Sequence, residues 1–247
     1  MKHFKLAGFL SSIALLALNW LAAWAAPPAK LSEVATTDDI EAEVVSKLND
    51  VEQALHSTES YRERRDSLRR SATHLAIYGQ ALAEHDSESK LRLAGADLRD
   101  AALSLAHDSS FDDASKSLAL LKTAAAGKAT GSARVDFDWS KLAQRGWVMS
   151  ALKSHSESLR RAMRRPGDPR EDSRHATNMA LLALVLHGDF GAVKDPADRP
   201  RWQALSLEVQ QHMTRAAAAI KNRDESAADH FRMGMEACNT CHETFKR

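Results

Sequence analysis

The stretch Cys238-Asn239-Thr240-Cys241-His242 closes the last helical pattern of a 247-residue chain. Two thiols three positions apart can both reach the vinyl groups on one edge of a porphyrin, and a histidine directly after the second can place its imidazole under the iron. The pattern therefore predicts one covalently attached haem, held by Cys238 and Cys241, with His242 as an iron ligand.

Three other uses of a Cys-x-x-Cys pair stay open at this point: a structural disulfide, a thiol redox pair and part of a zinc site. A redox pair normally opens a helix after a strand, whereas this one ends a helical stretch with no strand pattern near it. A structural zinc ion would take four ligands, and the chain has no second cysteine pair. These arguments favour haem over the alternatives.

The composition is that of an ordinary globular protein, with 44% hydrophobic and 27% charged residues. The formal net charge of +1 gives no reason to expect a nucleic acid as partner. The chain has two cysteines, and the haem motif uses both, so no disulfide framework is expected.

Residues 1–25 have the pattern of a signal peptide. A basic start is followed by an apolar run over residues 6–22 and by the small-x-small sequence Ala23-Trp24-Ala25. An uncleaved membrane anchor is the alternative, but polar residues interrupt the run and two prolines follow it. We expect cleavage before Ala26 and no stable membrane insertion afterwards.

The rest of the chain indicates an all-α fold. Apolar residues recur at three- and four-residue intervals, and β-type alternation is almost absent. Eight helices are expected, beginning near Thr37, Ser60, Ser87, Ser110, Asp138, Arg170, Trp202 and Asp224.

The eight helices divide into two sets of four around a small, polar stretch. We expect a helical bundle over 26–127, a linker over 128–135 and a second bundle over 136–247. The halves look like copies, because the sequence at 71–76 parallels that at 175–180. Residues 123–126, Thr-Ala-Ala-Ala, stand where the second half has its cysteines, so the first bundle cannot hold covalent haem. The fold expected is two tandem four-helix bundles, the second binding haem c.

A four-helix unit whose final helix ends in Cys-x-x-Cys-His resembles the cytochrome c′ family, the class II c-type cytochromes. The resemblance covers about residues 135–247, and the stretch 145–155 is similar to the first helix of the family. That helix carries an arginine near a haem propionate and, four residues on, the side chain facing the open side of the iron. The resemblance implies that Arg145 contacts a propionate and that Met149 is the sixth iron ligand.

Three further side chains are expected against the porphyrin. Phe231 and Met235 precede Cys238 at helical intervals, and Phe245 follows His242 by three residues. For Met149 a core methionine is the plain alternative, and for Arg145 a solvated surface arginine. A histidine could also replace Met149 as sixth ligand, the candidates being His155, His175, His187, His212 and His230.

The resemblance implies a periplasmic monohaem cytochrome that transfers single electrons to and from periplasmic redox partner proteins. Haem is attached to c-type cytochromes on the far side of the bacterial inner membrane, in agreement with the signal peptide. No acid–base pair is assigned to a distal pocket, so we do not expect an enzyme.

Two alternative functions stay open: a five-coordinate haem that binds nitric oxide or carbon monoxide, and an assembly role in which the first half docks a partner. Family members are often dimers through their early helices. A homodimer is therefore one expectation, and pairing of the duplicate halves within one chain is the other.

Overall fold

The computed structural model describes residues 29–108 and 110–245, and the chain forms helices and turns without a strand over these ranges. The all-α prediction is confirmed. Over the same ranges, no helix combines the length and the apolar character needed to cross a membrane. The signal peptide predicted at 1–25 lies outside the described residues.

Ten α-helices lie within the described part of the chain. In chain order they are α1 (Leu31–Val34), α2 (Thr37–Ala54), α3 (Thr58–Glu63), α4 (Arg65–Ala83), α5 (Gly95–His107), α6 (Phe111–Ala125), α7 (Arg145–Arg164), α8 (Pro169–Gly188), α9 (Arg199–Lys221) and α10 (Ala227–Phe245). Short 3-10 turns lie at Arg92–Ala94, Trp139–Lys141, Phe190–Ala192 and Pro196–Asp198.

Capping side chains explain where several helices begin. The hydroxyl groups of Thr36 and Ser110 accept hydrogen bonds from backbone N–H groups in the first turns of α2 and α6, and the carboxylate of Asp168 does so for α8. Each satisfies a donor that has no partner within the helix. Gly127 follows the end of α6 with a φ of 78°, which a residue with a Cβ rarely adopts.

Three predicted helix boundaries are wrong. The helix expected from Ser60 to His85 is divided at Arg64 into α3 and α4. Ser87 does not cap α5, which begins at Gly95, where the chain packs on α4. Asp138 caps a 3-10 turn, and α7 begins at Arg145. In these places tertiary contacts override local helix signals.

The helices pack in two sets, which we name the first helix group (α2, α4, α5, α6) and the second helix group (α7 to α10). In the first group, α4 lies between α2 and α5, and α6 contacts both α5 and α2. In the second group, α8 packs on α7 and α9, and α9 packs on α10. Helices α4 and α8 contact each other and join the groups. Buried side chains from both groups form one continuous core, and the domain boundary at 128–135 stays a prediction.

Helices α4 and α5 cross with their backbones in direct contact. A Cβ added to Gly79 would lie 2.8 Å from the carbonyl oxygen of Gly95, and one added to Gly95 would lie 2.7 Å from that of Gly79. Glycine is therefore required at both positions, because any side chain would force the helices apart.

The predicted linker makes defined contacts with the first helix group. The backbone N–H of Thr130 donates to the carboxylate of Asp97 at 2.9 Å. The Gln80 side-chain amide donates to the carbonyl oxygen of Val135 at 3.1 Å. The segment is thus tied to α4 and α5 by hydrogen bonds near both of its ends.

Candidate functional site

The predicted haem-attachment residues lie on one continuous helix, α10. Residues four, seven and eleven positions apart share a helix face, so Phe231, Met235, Cys238 and His242 form a single stripe. Phe231 is buried, Met235 and Cys238 are half-buried against the hydrophobic core, and His242 is exposed. The stripe therefore has an apolar beginning and an imidazole at its end.

Phe245, the last described residue of α10, is held by an aromatic contact with α9. Its ring packs edge-on to the indole of Trp202, with centroids 5.2 Å apart and an interplanar angle of 81°. Trp202 is buried, and its indole N–H donates to the carbonyl oxygen of Leu186 at 2.6 Å. Local sequence patterns do not indicate Trp202 at the site, because its pairing with Phe245 depends on how α9 lies against α10.

The two thiols have an environment that opposes thiol redox chemistry. Burial raises the pKa of Cys238 to about 11, helped by the neighbouring Cys241, and burial also raises the pKa of Cys241. Redox-active cysteines instead have lowered pKa values, commonly at a helix N-terminus. Here both thiols are free and lie in the C-terminal half of α10.

As for a zinc site, the described residues contain no group of three or more histidine, cysteine, aspartate or glutamate side chains placed to hold a metal ion.

Arg145 and Met149 lie on the first two turns of α7. The Arg145 guanidinium lies 3.4 Å from the carboxylate of Asp189, in the loop after α8. A Cβ on Gly191 would come 2.5 Å from Nη1 of Arg145, so the glycine leaves room for this side chain. Met149 is half-buried against the core. Both predicted site residues of α7 are thus partly exposed.

Helices α7 and α10 have almost no close backbone contact with each other, although α8 and α9 join them into one group. The clearest link between them is the Arg160 guanidinium, 5.9 Å from the ring centroid of Phe231. This link joins the C-terminal part of α7 to the N-terminal part of α10.

Two of the five alternative histidine ligands are engaged in hydrogen bonds with other rings. His155 and His175 are in hydrogen-bonding contact, and His155 also contacts His74 of the first helix group. His212 and His230 pack against each other, with ring centroids 5.8 Å apart, and Nδ1 of each is buried without a hydrogen-bond partner among the described residues. The fifth, His187, is half-buried near the end of α8.

The chemistry of this donor set fits a covalently attached haem. The two neighbouring thiols suit thioether bonds, and an imidazole and a thioether sulfur are both common haem-iron ligands. Both thiols pack against the hydrophobic core, and the Arg145 guanidinium on α7 is a group that can pair with a carboxylate. Comparison of the chain with protein-family models, with curated proteins and with solved structures finds no match.

Proposed function

We propose that this chain is a monohaem c-type cytochrome that transfers single electrons in the periplasm. Residues 26–127 form a haemless four-helix bundle, and residues 136–247 form a second bundle that holds haem c. The observation that carries the proposal is the stripe on one face of α10, in which Phe231 and Met235 lead to Cys238, half-buried against the core, and to the exposed imidazole of His242.

Each residue of the site has a defined task in this proposal. Cys238 and Cys241 hold the haem through thioether bonds, while His242 is the proximal ligand and Met149 the sixth. The haem supplies the change between ferric and ferrous iron. Phe231, Met235 and Phe245 exclude water from its surface and lower the local dielectric.

Arg145 neutralises a propionate in this proposal, and Asp189 orients the guanidinium for that contact. Their separation of 3.4 Å already places the guanidinium over the loop after α8. Asp189 itself is fixed by accepting the backbone N–H of Gly191 at 2.9 Å. A positive charge held at the rim lowers the free energy of burying a carboxylate nearby.

The first test is whether the chain acquires haem at all. The full chain, with its N-terminal segment, is expressed in a bacterium that attaches haem to exported cytochromes, and the periplasmic fraction is analysed by mass spectrometry. The expected mass is that of residues 26–247 plus about 600 Da for one haem. A periplasmic product with the mass of the polypeptide alone would contradict the proposal.

The second test concerns the sixth ligand. The reduced protein is expected to show a low-spin spectrum that carbon monoxide does not change. Met149→Ala should give a high-spin ferrous form that binds carbon monoxide, whereas Met163→Ala, on the same helix fourteen residues away, should keep the original spectrum. A wild-type protein that binds carbon monoxide directly would favour the gas-binding alternative.

A further inference from the structure

The last turn of α8 connects the ends of the other three helices of the second helix group. The carbonyl oxygen of Leu186 accepts the backbone N–H of Asp189 at 3.1 Å and the indole N–H of Trp202, in the first turn of α9, at 2.6 Å. Asp189 lies 3.4 Å from the guanidinium of Arg145, the first residue of α7. Trp202 contacts Phe245, at the end of α10. One turn of α8 therefore links the start of α7 to the end of α10.

These contacts bring the two parts of the candidate site to the same end of the second helix group. Helices α7 and α10 have almost no close backbone contact with each other. The link between Arg145 and Phe245 runs instead through Asp189 and Trp202, which both donate to the Leu186 carbonyl group. Trp202 is the member of this link that reaches the helix of the predicted haem-attachment residues.

The position of His242 depends on the order of the last turn of α10. Its imidazole is exposed and forms no hydrogen bond with the residues that the structure describes. The last carbonyl groups of a helix have no partner within the helix, so the final turn opens more easily than the rest. Side-chain contacts that hold this turn therefore also set where the imidazole lies.

Trp202 gives that turn a rigid support. Phe245 follows Cys241 by four residues, and the two share the face of α10 that packs against the core. The Phe245 ring meets the indole edge-on, a geometry that aromatic pairs prefer. The indole is only 2% exposed and is hydrogen-bonded to Leu186, so it is fixed in its place. The turn that contains Cys241 and His242 is thus held against the start of α9.

We propose that Trp202 is a positioning residue for His242. The proposal rests on the proposed function, in which the imidazole of His242 is the proximal iron ligand. By holding Phe245, Trp202 fixes the last turn of α10 and, with it, the base from which the imidazole projects. A ligand held in place beforehand loses less conformational freedom when it binds, and residues behind a metal ligand commonly orient it.

Amide hydrogen exchange of the full exported chain measures the order of that turn. Trp202→Leu removes both the aromatic contact and the indole N–H, whereas Trp202→Phe keeps an aromatic ring. We expect Trp202→Leu to lower the protection of residues 241–245, relative to the rest of α10, by about tenfold. Trp202→Phe should lower this ratio much less.

Tyr61→Leu is the matched control for a tryptophan that only fills the core. Tyr61 is also buried, and its ring meets Phe111 edge-on, with centroids 6.0 Å apart, in the first helix group. This variant loses a buried aromatic pair of the same kind, so it should reduce overall stability. The protection of residues 241–245 relative to the rest of α10 should nevertheless stay that of the wild type.

The bond between iron and His242 provides a readout that core packing elsewhere does not change. In the reduced haem protein with Met149→Ala, the iron is expected to keep His242, and resonance Raman spectroscopy detects the iron–histidine stretching band. Adding Trp202→Leu should shift or broaden that band. Adding Trp202→Phe or Tyr61→Leu should leave it as it is.

Two results would overturn the role of Trp202. One is a protection ratio that is the same in wild type and Trp202→Leu, or that falls equally in Tyr61→Leu. The other is an iron–histidine band that Trp202→Leu does not change. An exported chain without haem would contradict the proposed function instead, and the exchange comparison on that chain would still decide whether Trp202 holds the last turn of α10.

Discussion

The hydroxyl oxygen of Tyr78 lies 2.6 Å from Oδ1 of Asn178, so a single buried hydrogen bond joins α4 to α8. The same oxygen lies 3.2 Å from a carboxylate oxygen of Glu43 on α2. Burial, with Glu43 close by, raises the pKa of Tyr78 well above its ordinary value. The phenol therefore stays protonated and donates, and three helices meet at one hydroxyl group.

Replacing this hydroxyl group should weaken the whole protein. Tyr78→Phe leaves the buried oxygen of Asn178 without its donor, and we expect a loss of about 1–3 kcal/mol in the free energy of unfolding. Denaturant titration measures it. Tyr61→Phe is the matched control, because the Tyr61 hydroxyl has only a 3.5 Å contact, with the carbonyl oxygen of Asp108. A smaller effect at Tyr78 than at Tyr61 would contradict the prediction.

Breaking the ion pair between Glu43 and Arg174 should also lower the free energy of unfolding. The Glu43 side chain is only 6% exposed, so Arg174→Met leaves a carboxylate buried without its counter-ion. We expect a destabilisation of about 3 kcal/mol. The double variant Glu43→Gln with Arg174→Met should recover part of that loss, since the unpaired charge is gone. Denaturant titrations of these two variants and of the wild type test this.

A surface ion pair provides the control for that experiment. Lys116→Ala removes an exposed partner of Asp113 on α6, and solvent screens such pairs almost completely. Its denaturation midpoint should stay close to that of the wild type. If Arg174→Met had no larger effect than Lys116→Ala, the buried pair would not stabilise the contact between α2 and α8.

Replacement of glycine by alanine should have opposite effects on stability at Gly79 and at Gly146, because only Gly79 lies at the crossing of α4 and α5. Gly79→Ala places a methyl group 2.5 Å from the backbone nitrogen of Arg99, so the helices must separate, at a cost of about 2–3 kcal/mol. Gly146→Ala, on α7, meets nothing within 4 Å and should stabilise by up to about 1 kcal/mol. Thermal unfolding of both variants gives the comparison, and a stable Gly79→Ala protein would refute the close crossing.

Local sequence signals explain much of the fold but not its details. Apolar spacing and a capping residue were enough to predict α6 behind Ser110, because these signals act within one helix. The start of α5 at Gly95 was missed, because the close contact with Gly79 of α4 decides it. A local pattern does not reveal a contact between two helices.

The candidate site also combines features that local sequence patterns predict with features that depend on contacts between helices. The stripe on α10 follows from the spacing of Phe231, Cys238 and His242 alone. The contact of Arg160 on α7 with Phe231 on α10 does not follow from local spacing, because it depends on tertiary packing. The contacts of His155 with His74 and His175 were missed because the three residues come from three helices and share no sequence pattern.

Glu84 should produce a pH dependence opposite in sign to that of His74, His155 and His175, whose pKa values are lowered by burial. Its carboxyl group, at the end of α4, accepts a hydrogen bond from the Trp139 indole at 2.8 Å, and burial raises its pKa to about 7. Between its unfolded pKa of 4.5 and pH 7, the folded protein therefore binds more protons than the unfolded chain. Stability from this group is fully present below pH 4.5 and is lost as the pH rises through 7.

Glu84→Gln isolates that effect, because glutamine keeps the oxygen that accepts the Trp139 hydrogen bond but cannot titrate. The stability of the wild type relative to the variant should fall between pH 4.5 and 7 and stay level on either side. His74, His155 and His175, with their lowered pKa values, change stability in the opposite direction below pH 6.5. The wild-type curve alone would therefore hide the effect of Glu84, whereas the difference between wild type and variant removes what both proteins share. Denaturant titrations over this pH range measure the difference, and a constant difference would show that Glu84 is charged in the folded protein throughout.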